Sequence, residues 1–179
     1  METKASVWKA NLQNGVILGL IGVVLSLMLY FFDLMTNKTL TYIILLIEAV
    51  ILYFMIKSYR DNNLKGFITY GQSVGAGVVI FLYATVISVI FTYVLYKFID
   101  PGLVNKLLAV SEEALVKKGL PQQSIDTAMS FTKKMMKPEI MVISGLLGGV
   151  FMGTIISLII SIFTKKEGNP LLVDEPEKQ

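Results

Sequence analysis

The sequence predicts an all-α integral membrane protein, with four transmembrane helices and an extramembrane helical hairpin between the third and the fourth. Three observations predict it. Of 179 residues, 54% are hydrophobic and only 16% charged, and the mean hydropathy is +0.67, outside the usual balance of a soluble domain. Four apolar runs, at about 15–32, 40–56, 73–96 and 140–163, match the roughly 17 to 25 helical residues that cross a hydrocarbon core. Lipid leaves exposed backbone groups unsatisfied, and none of these runs alternates with the two-residue period of a barrel strand, so each must be helical.

The 15–32 run follows Lys4 and Lys9, as the apolar core of a signal peptide would. It is longer than the roughly 7 to 15 residues of such a core, and "YFFDLMTNKT" follows it where a small-residue cleavage site would stand. It is read as a retained span. The 40–56 run contains the one charged residue found inside any of the four, Glu48. The 73–96 run opens in "GQSVGAG", which lacks the strand, the lysine and the spacing of a phosphate-binding loop and is read as a helix entering the membrane.

Between the third and fourth runs, Leu103, Leu107, Leu108, Ala114 and Leu115 recur at helical spacing, and Glu113 stands one turn before Lys117. Gly119 supplies a C-terminal stop, and Pro121 opens a second helix with an apolar face of Ile125, Ala128, Met129, Met135 and Met136 that Pro138 ends. The hairpin is placed at about 102–137. Residues 1–166 form a single membrane domain, and the polar, proline-interrupted stretch 167–179 is expected to be a disordered tail.

Aromatic residues fit these boundaries, with Trp8, Tyr59 and Tyr70 at one interface and Tyr30, Tyr42, Tyr93 and Tyr96 at the other. Lys4, Lys9, Lys57, Arg60, Lys65, Lys165 and Lys166 flank one side, against Lys38 in the short turn opposite, which puts both termini in the cytoplasm. The hairpin segment, with seven lysines and five acidic residues from Lys97 to Glu139, pulls the other way.

Composition also excludes chemistry. The chain has no cysteine and no histidine, which removes disulfides, thiol nucleophiles, Ser-His-Asp arrangements and the commonest zinc ligands. Asp33 and Asp100 share one interface, but two acids without other ligands read as solvated helix ends. No cofactor and no metal site are expected. A net charge of +3, with lysines at the ends of apolar runs, argues against nucleic-acid binding.

In lipid there is little hydrophobic drive between helices, so small residues that let backbones approach must hold a bundle together. The fourth span offers Gly145, Gly149, Gly153, Ser157 and Ser161, and the first Gly15, Gly19, Gly22 and Ser26. The third offers Ser73, Gly77, Ala84, Ser88 and Thr92. These stripes are read as packing within the chain ahead of self-association.

Glu48 is affordable for insertion. About eleven Leu, Ile, Val and Phe residues between Leu40 and Ile56, at roughly half a kcal/mol each, outweigh a midplane acid costing roughly 2.5 to 3.5 kcal/mol. No lysine or arginine lies inside any span, so the neutral acid is expected, donating a hydrogen bond to Ser26, Thr85, Ser88 or Thr154 at similar depth. A proton or cation site is the alternative.

Finally, the order of short motifs is distinctive. Tyr59 and Arg60 follow the second span, then come Gly66 and the step Tyr70-Gly71-Gln72, and Asp100-Pro101 follows the third span. With "KKGLPQQSIDTAMSFTKKMMKPE" and "SLIISIFTKK", this resembles an uncharacterised family, a domain of unknown function, of small four-span membrane proteins found mainly in Bacteroidota. The resemblance implies a multi-pass protein of the bacterial inner membrane without assigned activity. It also implies a link to envelope assembly, because such proteins are often encoded near glycosyltransferases of the polyprenyl-phosphate sugar type. Local physics gives Arg60 to anionic headgroups, the glycines to a tight re-entry turn and Pro101 to the end of the third helix. The expectation is a non-enzymatic accessory or scaffold subunit in envelope biogenesis, partnered by the lipid bilayer and by another envelope membrane protein or itself. The alternative is a small solute or proton-coupled ion transporter that uses Glu48.

Overall fold

The computed structural model describes residues 6–168. Lys4 and most of the expected polar tail, 169–179, lie outside the described residues. Among the described residues, six α-helices run in the order α1 (Val7–Phe31), α2 (Lys38–Asn63), α3 (Tyr70–Val94), α4 (Leu103–Lys117), α5 (Gln122–Met135) and α6 (Pro138–Thr164). Helices α1, α2, α6 and α3 with its π-turn extension are long and apolar enough to cross a membrane. At 1.5 Å per residue, α4 and α5 reach only about 20 Å, short of a hydrocarbon core of about 30 Å.

The helix ends follow local chemistry. Asn37 caps α2, its side chain accepting from the Leu40 N–H. Thr69 and Gln72 form a reciprocal capping box at the start of α3, satisfying two of the donors a helix leaves free. Gly119 takes φ +70° after α4, and Pro138 occupies the first turn of α6, where its missing N–H costs nothing. Helix α1 begins eight residues before the expected boundary because Lys9, Asn11, Gln13 and Asn14 break the apolar run without breaking the helix. Asn11 is buried there, its side-chain amide donating to the Val7 carbonyl at 3.0 Å. Beyond Val94 one π turn, Leu95–Ile99, closes α3 and precedes Asp100-Pro101.

Helix α3 is the centre of the bundle. It packs most extensively against α6 and α1, and 39% of its apolar window is buried against 11% for α2. Glycines set both contacts. Along α6, positions Gly145, Gly149 and Gly153 sit under Val89, Thr85 and Phe81 of α3, so the two helices are antiparallel. Farther along the same seam Gly77 of α3 faces Ser157 of α6. Along α1, Gly15 lies against Tyr83 and Gly19 against Ala84 and Ile87, so α1 and α3 are parallel. The buried set Leu18, Leu52, Ile56, Ala76, Ile80, Phe81, Ala84 and Ile156 forms one core across the four long helices. Outward faces carry exposed apolar residues such as Leu46, Phe54, Leu147 and Phe151, the pattern of helices solvated by lipid.

Two expected interface aromatics are core residues. Tyr59 and Tyr96 are 6% and 7% exposed. Tyr59 packs into the main core, and Tyr96 into a second cluster with Leu95 and Leu103 that ties the start of α4 to the bundle. Helices α4 and α5 pack against one another, burying Leu108 and Ile125. On the outside of α4, Lys117 Nζ reaches Glu113 Oε1 at 2.7 Å and holds that carboxyl below its ordinary range.

Candidate functional site

Glu48 follows the start of α2 by ten positions, about 15 Å at 1.5 Å per residue, which puts it near the middle of a hydrocarbon core. Leu45, Glu48, Leu52, Ile56 and Tyr59 recur at spacings of three and four, so the face that buries Leu52 and Ile56 also turns Glu48 inward. Helix α1 brings Gly22, which has no side chain, up against the carboxyl. A Cβ on Gly22 would lie 3.2 Å from Glu48 Oε1 and 3.7 Å from Ser88 Oγ.

Beside the carboxyl is a cavity of about 360 Å³ lined by α2, α3 and α6, with Leu18 of α1. Thr85, Ser88 and Thr92, spaced three and four apart on α3, are the hydroxyl-bearing residues among those lining it. Gly145, Gly148 and Gly149 leave room on the α6 side, and Leu18, Leu45, Phe81, Met152 and Ile156 make the rest mostly apolar. Glu48 is the only ionisable residue among those lining it. The chemistry available is one carboxyl group and three hydroxyls in an apolar chamber.

The expected interhelical hydrogen bond is not made. Among the described residues, no side-chain hydrogen bond joins Glu48 to Ser26, Thr85, Ser88 or Thr154. Thr154 lies on a different face of α6 from Gly148 and Met152, and its hydroxyl donates to the Val150 carbonyl of its own helix at 2.8 Å. Ser26 lies one turn beyond Gly22 and does not line the cavity. Thr85 and Ser88 do line it, joined by Thr92. The signal for Thr92 was its place on the helical face of Ser88, but reading depth from span ends could not show which face met α2.

Most of the Tyr59-to-Gln72 motif gathers at one end of the bundle and closes it. The Arg60 guanidinium donates to the Thr164 carbonyl at 3.1 Å and to both Asp61 oxygens at 2.7 and 3.3 Å. Arg60 therefore joins α2 to the end of α6. Buried Ser73 and Thr164 share a hydroxyl–hydroxyl bond of 2.6 Å. Ile68 and Lys166 exchange two backbone hydrogen bonds of 2.9 Å, and the Tyr70 hydroxyl donates to the Leu158 carbonyl at 3.1 Å. The turn needs Gly66, at φ +85°, whereas a side chain at Gly71 would meet nothing within 4 Å. At the opposite end the Tyr30 hydroxyl donates to Asp100 Oδ2 at 3.2 Å. Asp100 and Asp33 line one pocket with Lys106, and Pro101 lies in the turn before α4. No group of three or more acidic, histidine or cysteine residues that could hold a metal ion occurs among the described residues.

A family model described as a protein of unknown function (DUF4199) matches residues 13–166. No curated protein and no solved structure matches the chain.

Proposed function

Because the chain belongs to the DUF4199 family, whose description assigns no activity, function must be read from the site, and we propose that Glu48 is a proton-exchanging binding site in a non-enzymatic membrane protein. The observation that carries this reading is the geometry of the acid. Its carboxyl borders a chamber with three hydroxyls and makes no hydrogen bond to the side chains at its own depth. An acid kept only for structure would be spent on a neighbouring helix, whereas one beside a chamber can take up or release a proton as a ligand leaves or arrives. This makes the protein a small solute or proton-coupled ion carrier. The four spans sit in a bacterial inner membrane with both termini in the cytoplasm, an orientation favoured by Lys57, Arg60, Lys65, Lys165 and Lys166 at the end shared by α2 and α6.

The test needs no ligand. In lipid nanodiscs, isotope-edited infrared spectra of glutamate carboxyl groups are compared between the wild type and Glu48→Gln over the pH range in which the fold persists. A reversible protonation change in the wild type that is missing from the variant supports the site. A Glu48 carboxyl that never changes protonation removes it.

A second reading is an accessory subunit of envelope assembly. It is favoured by exposed Val110, Val116 and Phe131 on helices α4 and α5, which are too short to span. Pull-down in mild detergent with mass spectrometry tests it, and a chain recovered alone under every condition counts against it.

A further inference from the structure

The Glu48 chamber adjoins a larger, purely apolar groove. The groove, of about 530 Å³, lies between α2 and α6 and is walled by residues including Ala49, Val50, Tyr53, Phe54 and Ile159. Leu45 and Ile156 line both spaces, so two aliphatic side chains are the shared wall between a carboxyl-bearing chamber and a groove on the outer surface of the bundle. Leu46, Val50, Phe54 and Ile159, which line the groove, are exposed on the lipid-facing side. Helix α2 is also the least embedded of the long helices, touching α1, α3 and α6 far less than α3 touches α1 and α6. It is the wall that can give way most cheaply, because leaving it apart sacrifices the fewest packed contacts.

Charge selects the occupant. Gly22 from α1 lies against the acid, and Leu18 from α1, Thr85, Ser88 and Thr92 from α3, and Gly145, Gly148, Gly149 and Met152 from α6 line the chamber it borders; none of them ionises. A carboxylate with no protein countercharge in an apolar chamber favours a cation, and a weakly hydrated one, since a strongly hydrated ion would lose more on leaving water than one carboxylate and three hydroxyls return. The apolar groove alongside suits a ligand that already resides in the bilayer.

We propose that the site takes a lipophilic monocation, which reaches Glu48 sideways from the lipid between α2 and α6. The proposal rests on Glu48 being a proton-exchanging site and adds the ligand class and the route. The exchange balances: the neutral acid gives up one proton to water as one monovalent cation pairs with the carboxylate, and the reverse step returns both. Cation binding therefore strengthens as pH rises through the titration of Glu48.

Tetraphenylphosphonium is the probe, measured by equilibrium binding to the full chain in nanodiscs, with empty nanodiscs as the reference for partition into lipid. Two variants accompany the wild type. Glu48→Gln removes the charge. Gly148→Leu adds bulk to the chamber wall at a position where a Cβ meets nothing within 4 Å, and its unfolding midpoint is checked against the wild type. The expected result is saturable wild-type binding that tightens with pH, releases one proton per cation, and weakens at least about tenfold in each variant. Binding equal in all three proteins, or no binding above empty nanodiscs, overturns the proposal. If the infrared titration of Glu48 persists while the cation fails to bind, the ligand class alone is refuted. If both fail, the site itself is refuted.

Discussion

The glycine seam between α3 and α6 makes a quantitative prediction, because three glycines on one helix face different surroundings. A methyl group added at Gly153 would sit 2.5 Å from Phe81 Cβ and 2.6 Å from its Cγ. The Phe81 Cβ is fixed to the α3 backbone, so although a rotamer change can swing Cγ away, none relieves the clash with Cβ, and the helices must separate. Overpacking of this kind costs about 1 to 3 kcal/mol. At Gly148 the same methyl meets nothing within 4 Å. Both positions lie in the interior of α6, so the gain in helix propensity from Gly to Ala, about 0.8 to 1 kcal/mol, is common to both. It cancels in the comparison. Gly148→Ala should then be more stable than Gly153→Ala by the overpacking term, about 1 to 3 kcal/mol. Gly145→Ala should fall between them, because its nearest neighbour, Val89 Cγ1 at 2.9 Å, is a side-chain tip. The assay is unfolding in mixed micelles with increasing SDS, followed by circular dichroism. Equal midpoints for Gly148→Ala and Gly153→Ala would refute the reasoning, since they would show that α6 does not present Gly153 to α3.

Three further outcomes follow from the polar contacts. Arg60→Ala removes the donor to the Thr164 carbonyl and should lower the unfolding midpoint by the equivalent of about 1 to 2 kcal/mol, and Arg60→Lys, lacking the fork that also holds Asp61, should recover little of it. Ser157 and Ser161 are fully buried, and neither hydroxyl has a hydrogen-bond partner, so Ser157→Ala and Ser161→Ala should be neutral or stabilising in the same assay, and a marked loss in either would reveal a partner for that hydroxyl. The Glu113 carboxyl should titrate by NMR below its ordinary value of 4.5 because Lys117 donates to it, and Lys117→Ala should bring it back. In sign, a depressed carboxylate favours the folded state above the ordinary pKa, and that contribution fades as pH falls through the depressed one. Both groups are exposed, so only the titration should move measurably.

Much of the fold was legible because lipid imposes a one-dimensional rule. A run of apolar residues long enough to span must be a helix whatever it packs against, and that alone located four long helices, two of which extend well past their apolar runs through polar residues such as Asn11 and Tyr59. The glycine stripes were legible as stripes. Their partners were not, because a stripe records which face is small and carries no trace of which neighbouring helix lies on it.

The candidate site divides along the same line. The sequence by itself determined that Glu48 is the one acid inside a span, that no basic residue shares its depth, and that the spans could carry it into lipid. Each of these is a property of counts and positions along the chain. Only the tertiary structure decided that the carboxyl borders a chamber with Thr85, Ser88 and Thr92 and leaves Ser26 and Thr154 aside. It also decided that Arg60 turns inward to α6, and that an apolar groove lies one residue's thickness from the acid. The physical reason is rotational. Depth in a membrane is set by sequence position, but what a side chain meets depends on the angle at which each helix is turned, and that angle is fixed by packing against helices distant in the chain.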